Sequence, residues 1–151
     1  MHSINFDKNL IKGVKLVDIN KLNPHEKIIE KKKTSLAKFI KSYKDYYIIS
    51  SIVCCHKSML IVDGHHRYFA LKELGFVKVP VTLIDYQSNS VRTGKTNPLD
   101  KKYIIEIGKS SVLLNPKSTE HAVYCNKSKI WEPIILLSSM FKIETKENLK
   151  W

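Results

Sequence analysis

The stretch that decides the fold covers residues 61–68 and reads Ile-Val-Asp-Gly-His-His-Arg-Tyr. Its apolar start is typical of a strand, and the strand pattern ends at an acid and a glycine. From residue 65 the apolar positions take up helical spacing, and Gly75 stands where such a helix would stop. The stretch therefore predicts a strand that passes directly into a helix over residues 65–74.

Basic residues cluster at the start of this predicted helix. A helix N-terminus exposes unpaired backbone N–H groups and the positive end of the helix dipole, and both favour an anion. Cations are disfavoured there, so His65, His66 and Arg67 conflict with helix stability and indicate a phosphate site that begins at Gly64. Of the 26 basic residues 24 are lysines, and only arginine offers a planar fork matched to phosphate oxygens. An ordinary surface arginine is the alternative.

Composition places the chain among globular proteins. It has 151 residues, of which 43% are apolar, and a formal net charge of +12. This length suits one domain with a hydrophobic core. Residues 1–7 lack a signal-peptide pattern, and no run reaches the ~18 apolar residues of a membrane span, so we expect a cytoplasmic protein without membrane contact. The charge admits nucleic acid as a partner, but lysines spread along the whole chain favour a solvated surface.

The three cysteines do not indicate a disulfide framework or a zinc site. Their number is odd, Cys54 and Cys55 are adjacent, and the spacing to Cys125 does not supply paired zinc ligands. We expect reduced, partly buried side chains.

Six further segments have the periodicity or composition of regular structure. We predict strands at residues 14–19, 47–55, 59–62 and 77–86, and helices at 28–43 and 101–108. The runs 47–55 and 59–62 flank a short polar turn and predict a hairpin. Pro80 indicates that its strand is an edge or contains a bulge. The mixed order of strands and helices predicts an α+β fold.

Residues 87–100 form the one long polar segment, which predicts a linker or a mobile loop near a site. We therefore divide the chain into a core at 1–86 and, at 87–151, a linker with a small C-terminal lobe packed on that core.

Three further groups of residues have two interpretations each. Glu26 either complements a helix dipole or takes a proton from a substrate hydroxyl. Asp63 either caps the following helix or holds Mg²⁺ that bridges phosphates. The third group comprises Lys117, Thr119 and His121. These are either ordinary turn residues or a second polar cluster for a small anionic or zwitterionic substrate.

Three blocks occur in a fixed order: Asn23-Pro24-His25-Glu26, Asp63-Gly64-His65-His66-Arg67-Tyr68 and Asn115-Pro116-Lys117-Ser118-Thr119-Glu120-His121. Together they resemble the free serine kinases of the ParB/sulfiredoxin-like superfamily, which phosphorylate L-serine. The resemblance covers residues from about 14 to 121. It implies a single ParB/sulfiredoxin-like domain, with a small mixed sheet and flanking helices, plus a short reduced C-terminal lobe.

The resemblance also implies an activity. The chain would be a Mg²⁺-dependent kinase that converts L-serine to O-phospho-L-serine, with ATP preferred and ADP possible as donor, and would feed serine and cysteine metabolism. Residues 1–86 would bind the nucleotide, and residues 87–151 would bind the substrate. Glu26 would be the catalytic base, and Asp63 would lie beside the transferred phosphoryl group, through Mg²⁺ or the substrate. The nucleotide phosphates would bind Gly64, His65, His66 and Arg67, and serine or phosphate would be held by Lys117, Thr119 and His121.

Two other branches of the superfamily fit less well. Sulfiredoxins place a reactive cysteine where this chain has His65. Partition ParB proteins carry a different box and continue into DNA-binding helices that we do not expect here. A ParB-type nucleotide-responsive DNA-binding module is the alternative, because it shares the phosphate block and would give the +12 charge a function. We expect no specific nucleic acid partner, and the oligomeric state is left open.

Overall fold

Strands and helices are mixed along residues 5–144, which are the residues that this computed structural model describes. In chain order the elements are β1 (Ile11–Asp18), α1 (Glu30–Lys41), β2 (Tyr46–Ser50), β3 (Ile52–Cys55), β4 (Ile61–Asp63), α2 (His65–Glu73), β5 (Lys78–Ile84), β6 (Val91–Arg92), α3 (Lys101–Lys109), β7 (Ala122–Cys125), β8 (Ile130–Pro133) and β9 (Met140–Glu144). Two 3-10 turns add Ile19–Lys21 and Ile134–Leu137. The predicted α+β class is confirmed.

The central sheet has the strand order β1-β5-β3-β4. The neighbours β3 and β5 run parallel, whereas β1 pairs antiparallel with β5 and β4 pairs antiparallel with β3. All four side chains of β3 are buried and alternate between two hydrophobic clusters, with Ile52 and Cys54 in one and Val53 and Cys55 in the other. The sheet is therefore covered on both faces.

Strand β4 leads straight into α2, as the stretch 61–68 predicts. Gly64 forms the N-cap with a left-handed φ of +109°, and Gly75 follows the helix with a φ of +86°. A side chain at position 64 would be strained by this φ and would place its Cβ 3.1 Å from Arg67 Nη2. Helix α2 buries Tyr68, Ala70 and Leu71 and packs beside α1. The glycine therefore lets the chain turn tightly at the point where the helix begins.

Two smaller sheets complete the fold. Strands β2 and β9 pair antiparallel, and β6, β7 and β8 form a three-stranded sheet. Val91 and Val123 of the latter share a buried cluster with Leu10, Val53 and Ile104. Residues on both sides of position 86 therefore pack together in one cluster. The division at residue 86 stays a prediction, and residues 1–4 and 145–151 lie outside the described part.

The predicted single strand over residues 47–55 is wrong. The chain changes sheets at Ser51, which is fully buried between β2 and β3. Its Oγ shares a 2.6 Å hydrogen bond with Thr82 Oγ1 and accepts from the Ser139 N–H at 2.8 Å, while its own N–H donates to the Ser139 carbonyl. These bonds satisfy the backbone where the strand run breaks. The predicted hairpin is confirmed for β3 and β4.

Two other expectations need correction. The strand that contains Pro80 lies inside the sheet, between β1 and β3. Its ladder with β3 begins one residue later, at Val81, so the missing proline N–H removes no bond from that ladder. Residues 87–100 are not a structureless linker, because they contain β6 and the buried side chains of Val91 and Thr93.

The three cysteines are free and buried, as expected. Burial raises the pKa of Cys54 well above its usual range. Within residues 5–144, no helix is long and apolar enough to cross a membrane.

Candidate active site

One cleft of about 430 Å³ collects every residue that the sequence singles out. It lies where the N-terminus of α2 meets the segment before α1 and the loop at residues 115–121. Its polar lining includes Glu26, Asp63, Gly64, His65, His66, Arg67, Lys117, Thr119 and His121. Its apolar wall consists of Leu36, Val62, Pro133, Ile134 and Ile135. Glu26 and Asp63, 37 positions apart in the sequence, therefore share one cavity.

The start of α2 presents free backbone donors to this cleft. Gly64 caps the helix without a side-chain hydrogen bond, and its carbonyl accepts from the Tyr68 N–H at 2.9 Å. Among residues 5–144, no acceptor pairs with the amides of His65, His66 and Arg67. Unpaired N–H groups at a helix N-terminus favour a nearby anion.

Asp63 and Arg67 form a partly buried ion pair beside these amides. The Arg67 Nη2 lies 3.0 Å from Asp63 Oδ2, and Nη1 donates to the Ser51 carbonyl at 2.8 Å. The Arg67 side chain is only 9% exposed, whereas that of Asp63 is 33% exposed. Burial raises the pKa of Asp63, and the guanidinium of Arg67 opposes this shift. Asp63 therefore does not cap the helix, and its open side faces the cleft.

Glu26 does not belong to a helix, so the dipole interpretation is wrong. Helix α1 begins only at Glu30, and the chain around Glu26 is extended and bridges to Leu114. The Leu114 N–H donates to the His25 carbonyl at 2.8 Å, and the Lys27 N–H donates to the Leu114 carbonyl at 2.7 Å. This pairing places the Glu26 side chain on the wall of the cleft.

The Glu26 carboxylate is held by the loop at residues 115–121. Its Oε1 accepts from the Lys117 N–H at 2.7 Å, and its Oε2 accepts from Thr119 Oγ1 at 2.9 Å and from the Thr119 N–H at 3.3 Å. Lys117 adopts a left-handed φ of +62° in this loop. The Glu26 side chain is 14% exposed. Three donors therefore fix a carboxylate that still reaches solvent in the cleft.

Three buried histidine rings line up behind the polar wall. The His25 and His65 rings lie 4.5 Å apart and the His25 and His121 rings 5.9 Å apart, between centroids. His65 Nε2 accepts from the His25 N–H at 3.0 Å, and His121 Nε2 lies 2.7 Å from the Tyr86 hydroxyl. Burial lowers the pKa of His25 to about 4 and that of His121 to about 3, and it lowers the pKa of His65 well below its usual value. The row is therefore neutral at pH 7.

The imidazoles of His65 and His66 form hydrogen bonds with backbone N–H groups, whereas the sequence predicts that these residues bind phosphate. His66 Nε2 accepts from the Ile29 N–H at 3.0 Å, just before α1 begins. Burial lowers the pKa of His66, and the nearby Lys32 adds to this shift. His65 uses its Nε2 on His25. The phosphate-binding roles of His65 and His66 stay predictions, and they rest on the backbone amides.

Two contributors to the site escaped the sequence reasoning. His25 is fully buried beside the Glu26 carboxylate, and its position directly before Glu26 in the first block is the sequence signal that could have identified it. Ser51 anchors Arg67 through its carbonyl, a contact that depends on the backbone and leaves no mark in the sequence.

Curated proteins resemble part of the chain. Over 79 residues the chain is 42% identical to an ATP-dependent L-serine kinase of Staphylothermus marinus. This aligned segment covers 51% of the chain and 31% of that kinase. The chain is 35% identical over 81 residues to a ParB-like protein of Sulfolobus acidocaldarius, covering 54% and 39% respectively. It is 31% identical over 96 residues to the ADP-dependent L-serine kinase SerK of Thermococcus kodakarensis, covering 60% and 38%. The chain thus matches less than two fifths of the length of each relative.

A solved structure extends the likeness to the whole fold. A glutamate-to-alanine mutant of a free serine kinase, in complex with ADP, superposes with a TM-score of 0.65 over 95% of both chains, at 14% sequence identity. No family model matches the chain. The predicted resemblance to free serine kinases and the predicted ParB/sulfiredoxin-like fold are confirmed.

Proposed function

We propose that this protein phosphorylates free L-serine to O-phospho-L-serine with an adenine nucleotide as the phosphoryl donor. One observation carries the proposal: a hydrogen-bonded carboxylate, a second carboxylate and three free helix amides converge on a single cleft. The names of the kinase relatives support the same substrate and donor. Phosphoryl transfer depends mainly on positioning and charge stabilisation, and these are the parts that it requires.

Glu26 is the proposed general base. The serine hydroxyl oxygen would attack the terminal phosphorus, the bond between that phosphorus and the nucleotide oxygen would break, and the hydroxyl proton would pass to the Glu26 carboxylate. A base of this kind must be fixed in place, which the donors on Lys117 and Thr119 achieve. Positioned proton transfer is worth about 10²- to 10⁴-fold in rate.

The nucleotide phosphates would bind at the start of α2. The amides of residues 65–67 would donate to phosphate oxygens, and the Gly64 backbone lets the phosphates approach closely. Arg67 contributes positive charge from behind Asp63, because its guanidinium is bonded to Asp63 and to Ser51. Arg67 thus acts as a charged support for the phosphate site.

Asp63 is the residue that fits Mg²⁺. Oδ2 pairs with Arg67, and no donor among residues 5–144 pairs with Oδ1. Mg²⁺ is usually bound by one or two carboxylates together with phosphate oxygens, so a single open carboxylate suits it even though the described residues form no three-ligand cluster. When bound, the ion would neutralise charge on the phosphates.

The loop at residues 115–121 would complete the serine site. Lys117 is exposed at the rim of the cleft, where its ammonium would meet a carboxylate or a phosphate. Thr119 bonds Glu26 and lies where the substrate hydroxyl would have to approach. His121 is 8% exposed and tied to Tyr86, so its contribution would be to shape the inner wall.

A turnover assay tests the proposal. The purified protein is incubated at its working temperature with carbon-13-labelled L-serine, Mg²⁺ and either ATP or ADP, and phosphoserine is detected by mass spectrometry. We expect labelled phosphoserine with ATP. Absence of product with both nucleotides would remove the proposal. Reactions without Mg²⁺ test the metal requirement.

The cytoplasmic location and the role in supplying cysteine synthesis stay predictions, because this assay does not address them.

A ParB-type DNA-binding module is the competing function, favoured by the ParB-like relative and the +12 charge. A protein that binds through several DNA phosphates loses orders of magnitude in affinity between low and moderate salt. Fluorescence anisotropy on random and natural DNA duplexes at two salt concentrations separates the functions. We expect weak, sequence-independent binding, and tight sequence-specific binding would reverse the ranking.

A further inference from the structure

The structure assigns a positioning role to His25: it directs the Thr119 hydroxyl toward Glu26 and so orients the base. This inference rests on the proposed function. His25 is fully buried, and its Nε2 lies 3.1 Å from Thr119 Oγ1 and 3.8 Å from Glu26 Oε2. The Thr119 Oγ1 in turn lies 2.9 Å from Glu26 Oε2. The imidazole, the hydroxyl and the carboxylate therefore form one chain of polar contacts.

The proton count along this chain fixes its direction. An ionised Glu26 only accepts hydrogen bonds, and the Thr119 hydroxyl donates its single proton to Oε2 at 2.9 Å. With that proton on Glu26, a hydrogen bond between Thr119 Oγ1 and His25 requires an N–H on Nε2 as the donor. With a proton on Nδ1 instead, Nε2 would compete with Glu26 for the Thr119 proton. The chain therefore selects the Nε2–H tautomer of His25.

The surroundings of His25 hold the ring and leave Nδ1 unpaired. Among residues 5–144, Nδ1 meets no partner in hydrogen-bond geometry. The carbonyl of Ile61 is near enough to oppose the fall in the pKa of His25, but it does not meet the geometry of a hydrogen bond with Nδ1. His65 packs its ring edge-on against His25 and accepts from the His25 backbone, which holds the imidazole in place.

Nitrogen-15 NMR of the imidazole rings tests the tautomer without any turnover. Uniformly labelled full-length protein is measured at pH 7, and the His25 signals are assigned from their loss in His25→Gln. We expect a neutral ring protonated at Nε2. A ring protonated at Nδ1, or an imidazolium, would overturn the inference whatever the protein catalyses.

Kinetics test whether the contact orients Glu26. In His25→Leu we expect kcat to fall about tenfold or more, as for loss of a hydrogen bond in a charged network, with the KM values for serine and nucleotide within about twofold. His25→Gln, whose amide N–H reaches toward the Nε2 position, should restore most of the rate. His56→Leu, in the turn between β3 and β4, is the matched control and should retain full activity.

The double variant with Glu26→Gln distinguishes positioning from a general structural role. If His25 acts through Glu26, His25→Leu should cost less than about twofold in the Glu26→Gln background. An equal loss in both backgrounds, or no loss in either, would contradict the inference. If the wild type makes no phosphoserine, the proposed function fails, while the tautomer measurement still decides whether His25 donates to Thr119. The same measurement decides it if His25→Leu does not fold.

Discussion

Glu26→Gln separates the proposed role of the Glu26 carboxylate as a base from its contribution to stability. In the wild type, two carboxylate oxygens accept three hydrogen bonds, from the backbone of Lys117 and from the backbone and hydroxyl of Thr119. Glutamine has one acceptor oxygen, so it retains the bonds on one side and turns an NH₂ group toward an N–H donor on the other. The substitution therefore breaks at least one hydrogen bond to a charged group.

The geometry sets the size of the effect. Hydrogen bonds to charged groups contribute about 1.5–3 kcal/mol each. Since the Glu26 side chain is 14% exposed, water replaces few of the lost contacts. We therefore expect the free energy of unfolding of Glu26→Gln to fall by about 2 kcal/mol. The kcat of the folded protein should fall by about a hundredfold or more.

Urea unfolding followed by circular dichroism measures the first quantity, and phosphoserine formation measured well below the unfolding transition gives the second. Glu30→Gln is the control, because the Glu30 side chain is 76% exposed. Within α1 it forms a surface ion pair with Lys33. It should change stability by less than about 1 kcal/mol and leave kcat unchanged. A Glu26→Gln protein as stable as the wild type would refute the hydrogen bonds at the loop. Unchanged kcat would refute the role as base.

Three further results are expected. Arg67→Lys should lose the Ser51 or the Asp63 contact and lower the free energy of unfolding by about 1.5–3 kcal/mol in urea unfolding. Calorimetry of the same variant should show weaker nucleotide binding. Unchanged stability would contradict the partly buried ion pair. The folded pKa of His25 is lowered to about 4, so below the usual value of 6.5 the unfolded state binds a proton that the folded state does not. Stability should therefore fall as pH drops from about 6.5 toward about 4, by roughly 1.4 kcal/mol per pH unit for each such histidine, and His65 and His121 add to the slope. A flat profile of unfolding free energy over this range would refute the neutral row of histidines. Gly108→Ala should destabilise the protein in thermal unfolding by about 1–2 kcal/mol, although alanine has the better helix propensity. The reason is that the new Cβ would lie 2.6 Å from Cδ1 of the buried Leu60. A more stable Gly108→Ala would show that the Leu60 side chain moves to make room for the methyl group.

Local rules predicted the elements that depend on local chemistry. Helix α2 and its glycine stop follow from the spacing of residues 61–75, and the structure differs from the prediction by one residue at the C-terminal end. The hairpin of β3 and β4 follows from two apolar runs around a polar turn. In these places, neighbouring residues satisfy each other, so the sequence alone carries the information.

Tertiary pairing decided what local rules missed. The break at Ser51 arises because β2 pairs with β9, about 90 residues later, while β3 joins the central sheet. The interior position of Pro80 depends on the register with β3. Neither partner can be identified from the segments themselves, since a buried apolar run fits any sheet of suitable register.

The candidate site shows the same division. The nine candidate residues chosen from the three sequence blocks all line one cleft. The blocks did not show that Arg67 lies behind Asp63, nor that Thr119 bonds Glu26. These contacts follow from the packing of a loop against a distant extended segment, where the choice of partner depends on the whole fold.

The central claim is that this cleft transfers a phosphoryl group to serine with Glu26 as the base. Its most direct test compares wild type, Glu26→Gln and Glu30→Gln in one assay, with labelled L-serine, Mg²⁺ and ATP, by mass spectrometry of the products. The wild type and Glu30→Gln should form labelled O-phosphoserine, and folded Glu26→Gln should form it at least about a hundredfold more slowly. Equal rates in all three proteins, or no phosphoserine from any of them with ATP or ADP, would contradict it.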